Sequence, residues 1–185
     1  DEHPGLKILV QPSELRCFSN EEYLTEGIEL REDLSSCQVL MGVKEVKISA
    51  LLKDKTYLFF SHTAKKQPYN RGLLQAVVEK KIRLVDYEYL TDASGMRVVA
   101  FGRWAGVVGA YNGLRAFGLR HNAFELPPAS ECRDLEELLR GLKDLGFGTT
   151  RMVVTGGGRV AGGALEVLRA AGIREVFPEE YLNVE

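Results

Sequence analysis

The chain has 185 residues, 45% of them hydrophobic and 27% charged, which is typical of a soluble globular protein with one large core or two small ones. Its formal charge is −2, from 24 basic and 26 acidic residues, and no block of lysine or arginine stands out. The charge distribution therefore does not favour nucleic acids or membrane surfaces as partners. A small anionic substrate is still compatible with it, because binding one needs only a few local charges.

The cysteines and the two ends of the chain indicate its setting. Cys17, Cys37 and Cys132 are widely spaced and form no C-x-x-C pair, so they predict reduced thiols rather than a metal or redox site. The sequence shows no signal peptide and no apolar run of transmembrane length, and we expect a cytoplasmic protein. Because the chain opens at Asp1 without Met and strand-like runs lie near both ends, we also expect a fragment of something longer.

Five short runs rich in β-branched and aromatic residues predict strands. They cover residues 6–10, 39–43, 56–60, 82–85 and 98–101. Their lengths and nearly continuous hydrophobicity are typical of strands that are buried on both faces of a parallel sheet.

Two amphipathic helices are predicted as well, each from four apolar residues on one helical stripe. The stripes are Leu73, Leu74, Val77 and Val78 within residues 70–81, and Leu135, Leu138, Leu139 and Leu142 after Ser130, a candidate N-cap. Residues 105–119, rich in Gly, Ala and Val, predict a closely packed helix that joins two domains, and Pro127-Pro128 breaks the chain after it. The alternation predicts an α/β fold with a domain boundary near residue 120.

A glycine-rich turn follows a further predicted strand at residues 152–155. Gly156-x-Gly158-x-x-Ala161 matches the dinucleotide-binding fingerprint, and a helix, a stop at Gly172 and a strand at residues 173–177 are predicted after it. In this interpretation the first glycine permits a tight turn, the second lets the backbone approach a pyrophosphate, and the alanine lets helix and strand pack closely.

The start of that helix predicts where phosphate oxygens bind, because its backbone amides point at the ligand. The candidate cofactor-binding residues are Gly156, Gly158, Arg159, Val160 and Ala161. The alternative is a structural glycine turn in a unit that binds nothing, and the strand–turn–helix–strand context favours binding. Glu179 or Glu180 is at the spacing of a ribose-binding acid, but a solvated pair after Pro178 is equally open. Too few residues follow for a complete dinucleotide fold.

Ionisable residues follow two of the predicted strands. Lys44 comes after the second run and His62 after the third, and ligands of open α/β sheets bind at the carboxyl ends of strands. The alternatives are a solvated Lys44 paired with Glu45 and a surface His62. Taken alone, Lys65 with Lys66 predicts a solvated face, and Arg97 a surface residue.

Together these residues belong to a set of motifs in a consistent order. The motifs are Gly42-Val43-Lys44-Glu45, residues 56–63, residues 65–70, residues 83–88, and residues 97–103 with Ala105-Gly106. From about residue 6 to its end, the chain closely resembles the lysine-forming saccharopine dehydrogenases, whose relatives include the alanine dehydrogenases and the soluble part of transhydrogenase. The resemblance implies an α/β fold in two domains: a parallel-sheet, substrate-side domain over residues 1–120 and the beginning of a Rossmann NAD-binding domain over residues 121–185.

The resemblance also implies a reaction and roles for single residues. The family oxidises saccharopine with NAD to lysine and 2-oxoglutarate, and its acid/base lysine and histidine match Lys44 and His62. Its charged residues around the substrate match Glu45, Lys65, Glu88 and Arg97. The family's first strand with an arginine-bearing segment, and the C-terminal side of its cofactor domain, have no counterpart in this chain.

As a hypothesis, His62 acts in imine hydration and hydrolysis, because an imidazole suits general base catalysis near neutral pH. Lys44 would exchange protons with the substrate amine, and Lys65 and Arg97 would hold substrate carboxylates. The competing interpretations are an alanine dehydrogenase-like enzyme and a non-catalytic module of the same fold. Oligomeric state, direction of the reaction and preference for NAD over NADP stay open.

Overall fold

The computed structural model describes residues 5–182. The chain divides into two compact units between Ala100 and Phe101. The first unit contains two parallel sheets with helices between the strands, and the predicted α/β class is confirmed.

The first unit begins with a small parallel pair. Strand β1 (Leu9–Val10) pairs with β2 (Glu29–Leu30), and helix α1 (Asn20–Thr25) connects them. A capping box starts α1, because the Ser19 hydroxyl accepts from the Glu22 amide while the Glu22 carboxylate accepts from the Ser19 amide. Neither β2 nor α1 was predicted.

The main sheet of the first unit has three parallel strands, β3 (Val39–Met41), β4 (Thr56–Phe59) and β5 (Arg83–Asp86), in the order β3-β4-β5. Helix α2 (Arg71–Glu79) connects β4 to β5 and buries Leu73, Ala76 and Val77, whereas Leu74 and Val78 of the predicted stripe are exposed. The buried core consists of Leu51, Tyr57, Phe59, Leu73 and Ala76. Four of the five predicted strands are thus confirmed, three with shorter bounds and β5 shifted by one residue.

The second unit is helical where it is regular. Its helices are α3 (Gly102–His121), α4 (Leu135–Arg140), α5 (Arg159–Ala170) and α6 (Pro178–Leu182). The core consists of Val107, Tyr111, Leu114, Leu126, Leu138, Leu142, Val167 and Ala171. Helix α5 begins directly after Gly158 and is followed by Gly172 in the left-handed conformation, as the glycine pattern predicts.

The predicted strand at residues 98–101 is wrong. Thr91 and Arg97 form an isolated antiparallel bridge, and the Val98 amide donates to the Leu90 carbonyl. The segment before α3 is therefore held in a local turn, and a hydrophobic run without a partner strand forms no ladder.

The predicted strands at residues 152–155 and 173–177 are also absent, because within residues 5–182 neither segment pairs with another. Ser130 is not the N-cap of α4 either. It lies in a 3₁₀ turn, and the cap is Asp134, whose carboxylate accepts from the Glu137 amide. The units divide earlier than residue 120 because α3 packs on α5. The domain boundary of the whole protein stays a prediction.

Candidate active site

The carboxyl ends of β3 and β4 bring the predicted acid/base segments side by side. Backbone pairing continues beyond the strands, because the Gly42 amide donates to the Leu58 carbonyl and the Phe60 amide donates to the Val43 carbonyl. Parallel strands end at the same edge of a sheet. The residues that follow, Lys44 and His62 among them, therefore leave the sheet at neighbouring positions.

His62 pairs with Glu45 at this edge. The Nδ1 atom of the imidazole is 2.5 Å from Oε1 of the carboxylate, and both side chains are partly buried. The hydrogen bond from His62 lowers the pKa of Glu45 below its ordinary value, against the opposing effect of burial. A carboxylate on Nδ1 orients the ring and turns Nε2 away from Glu45, which is the arrangement of a histidine that transfers protons through Nε2. The structure thus gives Glu45 a partner other than Lys44.

The phenyl ring of Phe60 contacts both predicted catalytic side chains. The Nζ atom of Lys44 lies 5.9 Å from its centroid, and the His62 ring stacks on it with centroids 6.4 Å apart and planes 21° apart. Tyr87 approaches the same ring edge-on at 5.3 Å. Phe60 is buried, with 5% exposure, so it is a fixed surface for both groups. Phe60 lies in a predicted strand and in the motif over residues 56–63, but its apolar side chain carries no chemical signal that would predict a role in the site.

Three further predicted residues form a second cluster, after β5. The Glu88 carboxylate is 3.5 Å from Lys65 Nζ and 3.6 Å from Arg97 Nη1, both measured to Oε1. The Glu88 side chain is 11% exposed, and its Oε2 atom is buried without a hydrogen-bond partner. A buried carboxylate oxygen with unused acceptor capacity is costly unless a ligand satisfies it. The cations that were predicted to hold substrate carboxylates are here held by Glu88.

The glycine turn lies in the second unit. Gly156 has φ +91°, which favours glycine, and a Cβ atom at Gly156 or Gly158 would meet nothing within 4 Å. Gly158 is the N-cap of α5, and no side chain caps the helix. The glycine turn therefore leaves space beside the positive end of the α5 dipole, which fits an anionic phosphate group, while Gly102 of α3 lies close to the Val160 amide in the first turn of α5.

The small residues of α5 serve a contact that was not predicted. A Cβ atom at Gly163 would lie 2.0 Å from the carbonyl oxygen of Arg103 on α3. The Arg103 side chain in turn makes a two-pronged hydrogen bond to Glu166 of α5. The close packing expected between this helix and a strand, with Ala161 as the small residue, is thus found between α5 and α3.

The fold and the site define a class of two-unit α/β protein. The first unit carries ionisable side chains at the carboxyl edge of a parallel sheet, and the second has a glycine turn before a helix. Residues 2–108 match the family model described as Alanine dehydrogenase/PNT, N-terminal domain, and the chain belongs to this family. Within residues 5–182, no helix combines the length and the hydropathy that crossing a membrane requires.

Several curated proteins are similar to this chain. The mitochondrial alpha-aminoadipic semialdehyde synthase of Bos taurus is 38% identical over an alignment of 198 residues that covers 97% of this chain and 21% of that protein. The alpha-aminoadipic semialdehyde synthase of Arabidopsis thaliana is 37% identical over 114 residues, 62% of this chain and 11% of that protein. The NAD(+), L-lysine-forming saccharopine dehydrogenase of Yarrowia lipolytica is 30% identical over 187 residues, 92% of this chain and 51% of that protein.

The chain thus spans a small part of the synthases and about half of the saccharopine dehydrogenase. The resemblance to the saccharopine dehydrogenase family that the motifs indicate is confirmed.

Proposed function

We propose that the protein is an NAD-dependent amino-acid dehydrogenase of the saccharopine type. In the proposed reaction, saccharopine, NAD and water give lysine, 2-oxoglutarate, NADH and a proton. The observation that carries the proposal is the contact of Lys44 and the His62–Glu45 pair with one phenyl ring at the carboxyl edge of a parallel sheet. The names of the relatives support this substrate class, since they are a saccharopine dehydrogenase and aminoadipic semialdehyde synthases.

The first half of the reaction needs a base for the substrate amine. The secondary amine must be unprotonated before the neighbouring C–H bond breaks, and Lys44 in its neutral form accepts that proton. When bound, NAD would supply the acceptor for the hydride that leaves this carbon, and the substrate would become a protonated imine.

The second half needs a base for water. His62 takes a proton from the water that attacks the imine carbon, and it returns the proton to the lysine nitrogen when the C–N bond of the carbinolamine breaks. The hydroxyl proton of the carbinolamine passes to the departing amine as the C=O bond forms, and Lys44 releases the proton that it took from the substrate to solvent. Glu45 holds Nδ1 and stabilises the imidazolium that forms between these two steps. The imidazole therefore ends each turnover in the protonation state in which it began.

The remaining predicted residues bind rather than react. Gly156, Gly158 and the first turn of α5 would hold the pyrophosphate of NAD through backbone amides. Lys65 and Arg97 would hold substrate carboxylates, and they would then exchange part of their contact with Glu88 for the substrate.

The test is NAD-linked turnover of saccharopine by the protein expressed from its complete reading frame. We expect H62Q to lower kcat by about 10²- to 10⁴-fold, the usual contribution of general acid–base catalysis, and K44M to lower it by a similar factor. K53M and H121Q remove the same side-chain types elsewhere and should leave kcat unchanged. If both H62Q and K44M keep wild-type turnover, the assignment is wrong.

An alanine dehydrogenase-like activity is the second candidate, because the matching family model is named for alanine dehydrogenase. Comparing kcat/KM for alanine and saccharopine separates the two, and we expect saccharopine to be the better substrate. A folded protein that turns over neither substrate with NAD or NADP would support a non-catalytic module of this fold.

A further inference from the structure

His62 has a backbone conformation that neighbouring contacts must hold. Its φ of 53° and ψ of 13° lie in the left-handed region, which a residue with a side chain populates sparsely. Such conformations persist where the surrounding structure determines them, and they cluster at active sites. The side chains on either side of His62 in the sequence, Ser61 and Thr63, are the first place to look for that constraint.

Ser61 is fully buried and its hydroxyl connects three groups. It donates to Oδ2 of Asp86 at 2.5 Å, it contacts the Thr63 hydroxyl at 2.8 Å, and it accepts from the Thr63 amide at 3.2 Å. A serine hydroxyl can donate only one hydrogen bond, and Ser61 donates it to Asp86. The Thr63 hydroxyl must therefore be the donor in its contact with Ser61. One buried oxygen therefore fixes the residues before and after His62.

Asp86 connects residues 61–63, here called the His62 turn, to the cluster of Glu88, Lys65 and Arg97. Its Oδ2 atom accepts from Ser61, while its Oδ1 atom accepts from the backbone amide of Glu88 at 2.9 Å. A single carboxylate at the end of β5 thus determines the spacing between the backbone of the His62 turn and the backbone of Glu88. Neither Ser61 nor Asp86 belongs to the predicted site.

Asn70 supports the same turn from α2. It is the N-cap residue of α2, a position where asparagine normally caps the helix with its side chain, yet it makes no such bond. Its buried amide instead donates to the Ser61 carbonyl at 3.3 Å. The Asn70 side chain thus forms a hydrogen bond with the backbone beside His62 instead of capping α2.

We propose that the buried Ser61–Asp86 hydrogen bond is a positioning device, which fixes the direction of His62 relative to Glu88 and therefore relative to the substrate. Both residues are positioning residues, since each acts through a neighbour. This inference rests on the proposed function for its kinetic consequence, whereas its structural consequence, a fixed His62–Glu45 pair, is measurable without turnover.

The experiment compares S61A and D86N in the protein from its complete reading frame. D86N keeps the shape and the acceptor for the Glu88 amide, but it places an NH2 group where Ser61 needs an acceptor. We expect each variant to lower kcat for saccharopine about tenfold or more with a smaller change in KM, because a displaced base loses catalytic efficiency faster than binding. A76G, inside α2 and outside this network, is the control for lost stability.

Two readouts separate positioning from a general structural effect. In an H62Q background S61A should cost nothing further in kcat, because residues that act as a unit are not additive. The downfield proton resonance of the His62 Nδ1–H···Glu45 hydrogen bond, assigned by its loss in H62Q, should shift or broaden in S61A and D86N but not in A76G.

The outcomes are distinct. The positioning role is overturned if S61A lowers kcat as much in the H62Q background as in the wild-type protein. It is also overturned if the proton resonance is unchanged in both S61A and D86N. If the wild-type protein does not oxidise saccharopine while the resonance still responds to S61A and D86N, the proposed function fails and the positioning role stands.

Discussion

Replacing Gly106 with alanine should force helices α3 and α5 apart. A Cβ atom at Gly106 would lie 1.9 Å from the carbonyl oxygen of Val160 and 2.8 Å from the amide nitrogen of Ala164, both backbone atoms of α5. Ordinary contact begins at 3.4 Å, so the helices would have to separate by about 1.5 Å, because no side-chain rotation relieves a clash between a Cβ atom and backbone.

The magnitude follows from two opposing effects. Overpacking a core typically costs about 1–3 kcal/mol, and a rigid backbone clash belongs at the upper end of that range. Alanine in a helix interior gains at most about 1 kcal/mol over glycine. We therefore expect G106A to lower the free energy of unfolding by about 2 kcal/mol. Gly109, exposed on the same helix with nothing within 4 Å of its Cβ position, is the matched control, and G109A should stabilise by about 0.5–1 kcal/mol.

The assay is urea unfolding of both variants, followed by NAD titration of the folded proteins. Because Val160 lies in the first turn of α5, G106A should also weaken NAD binding, whereas G109A should leave it unchanged. Equal unfolding free energies for G106A and G109A would refute the packing geometry on which this reasoning depends.

Two further predictions concern pH. Hydrogen bonding to His62 lowers the pKa of Glu45 below its ordinary 4.5, so the stability that Glu45 contributes is present above that pH and is lost as the pH falls through the lowered pKa. Wild-type protein should therefore exceed E45Q in urea stability above pH 4.5 and lose this advantage progressively as the pH falls below it, and an offset independent of pH would contradict this cause. Burial raises the pKa of Tyr111 to about 12, so the folded state retains a proton that the unfolded chain loses from pH 10 upwards. Stability should therefore fall by about 1.4 kcal/mol per pH unit between pH 10 and about 12 in the wild-type protein and not in Y111F, and parallel alkaline curves would show that Tyr111 is not responsible.

The strands of the main sheet could be predicted because each is a local run. Residues 39–43, 56–60 and 82–85 are hydrophobic and rich in β-branched or aromatic side chains, and the structure pairs most of each run as β3, β4 and β5. The start and the end of α5 could also be predicted from local signals, because a glycine precedes the helix and another follows it. Composition and turn chemistry are sufficient for features of this kind.

The errors arise where a segment needed a partner that the pattern could not supply. Residues 98–101 and 152–155 have strand-like composition, but a strand also requires a neighbour with free backbone groups. In the first segment the Val98 amide donates to the Leu90 carbonyl of the preceding turn instead of to a neighbouring strand. Ser130 failed as an N-cap for a related reason, because Asp134 is also a good cap and lies directly before the helix.

The composition of the candidate site depends on register, which sequence alone does not specify. Glu45 and His62 are 17 positions apart, and they meet because the Phe60 amide pairs with the Val43 carbonyl at the end of the sheet. A slip of one residue between β3 and β4 would turn one strand's side chains to the opposite face relative to the other's. Motifs could therefore identify the residues of the site, whereas the pairing of Glu45 with His62 follows from the hydrogen bonds of the sheet. The Ser61–Asp86 hydrogen bond could not be predicted from sequence for the same reason. Neither residue type indicates a special role, and the two side chains meet only because β4 and β5 pair in this register.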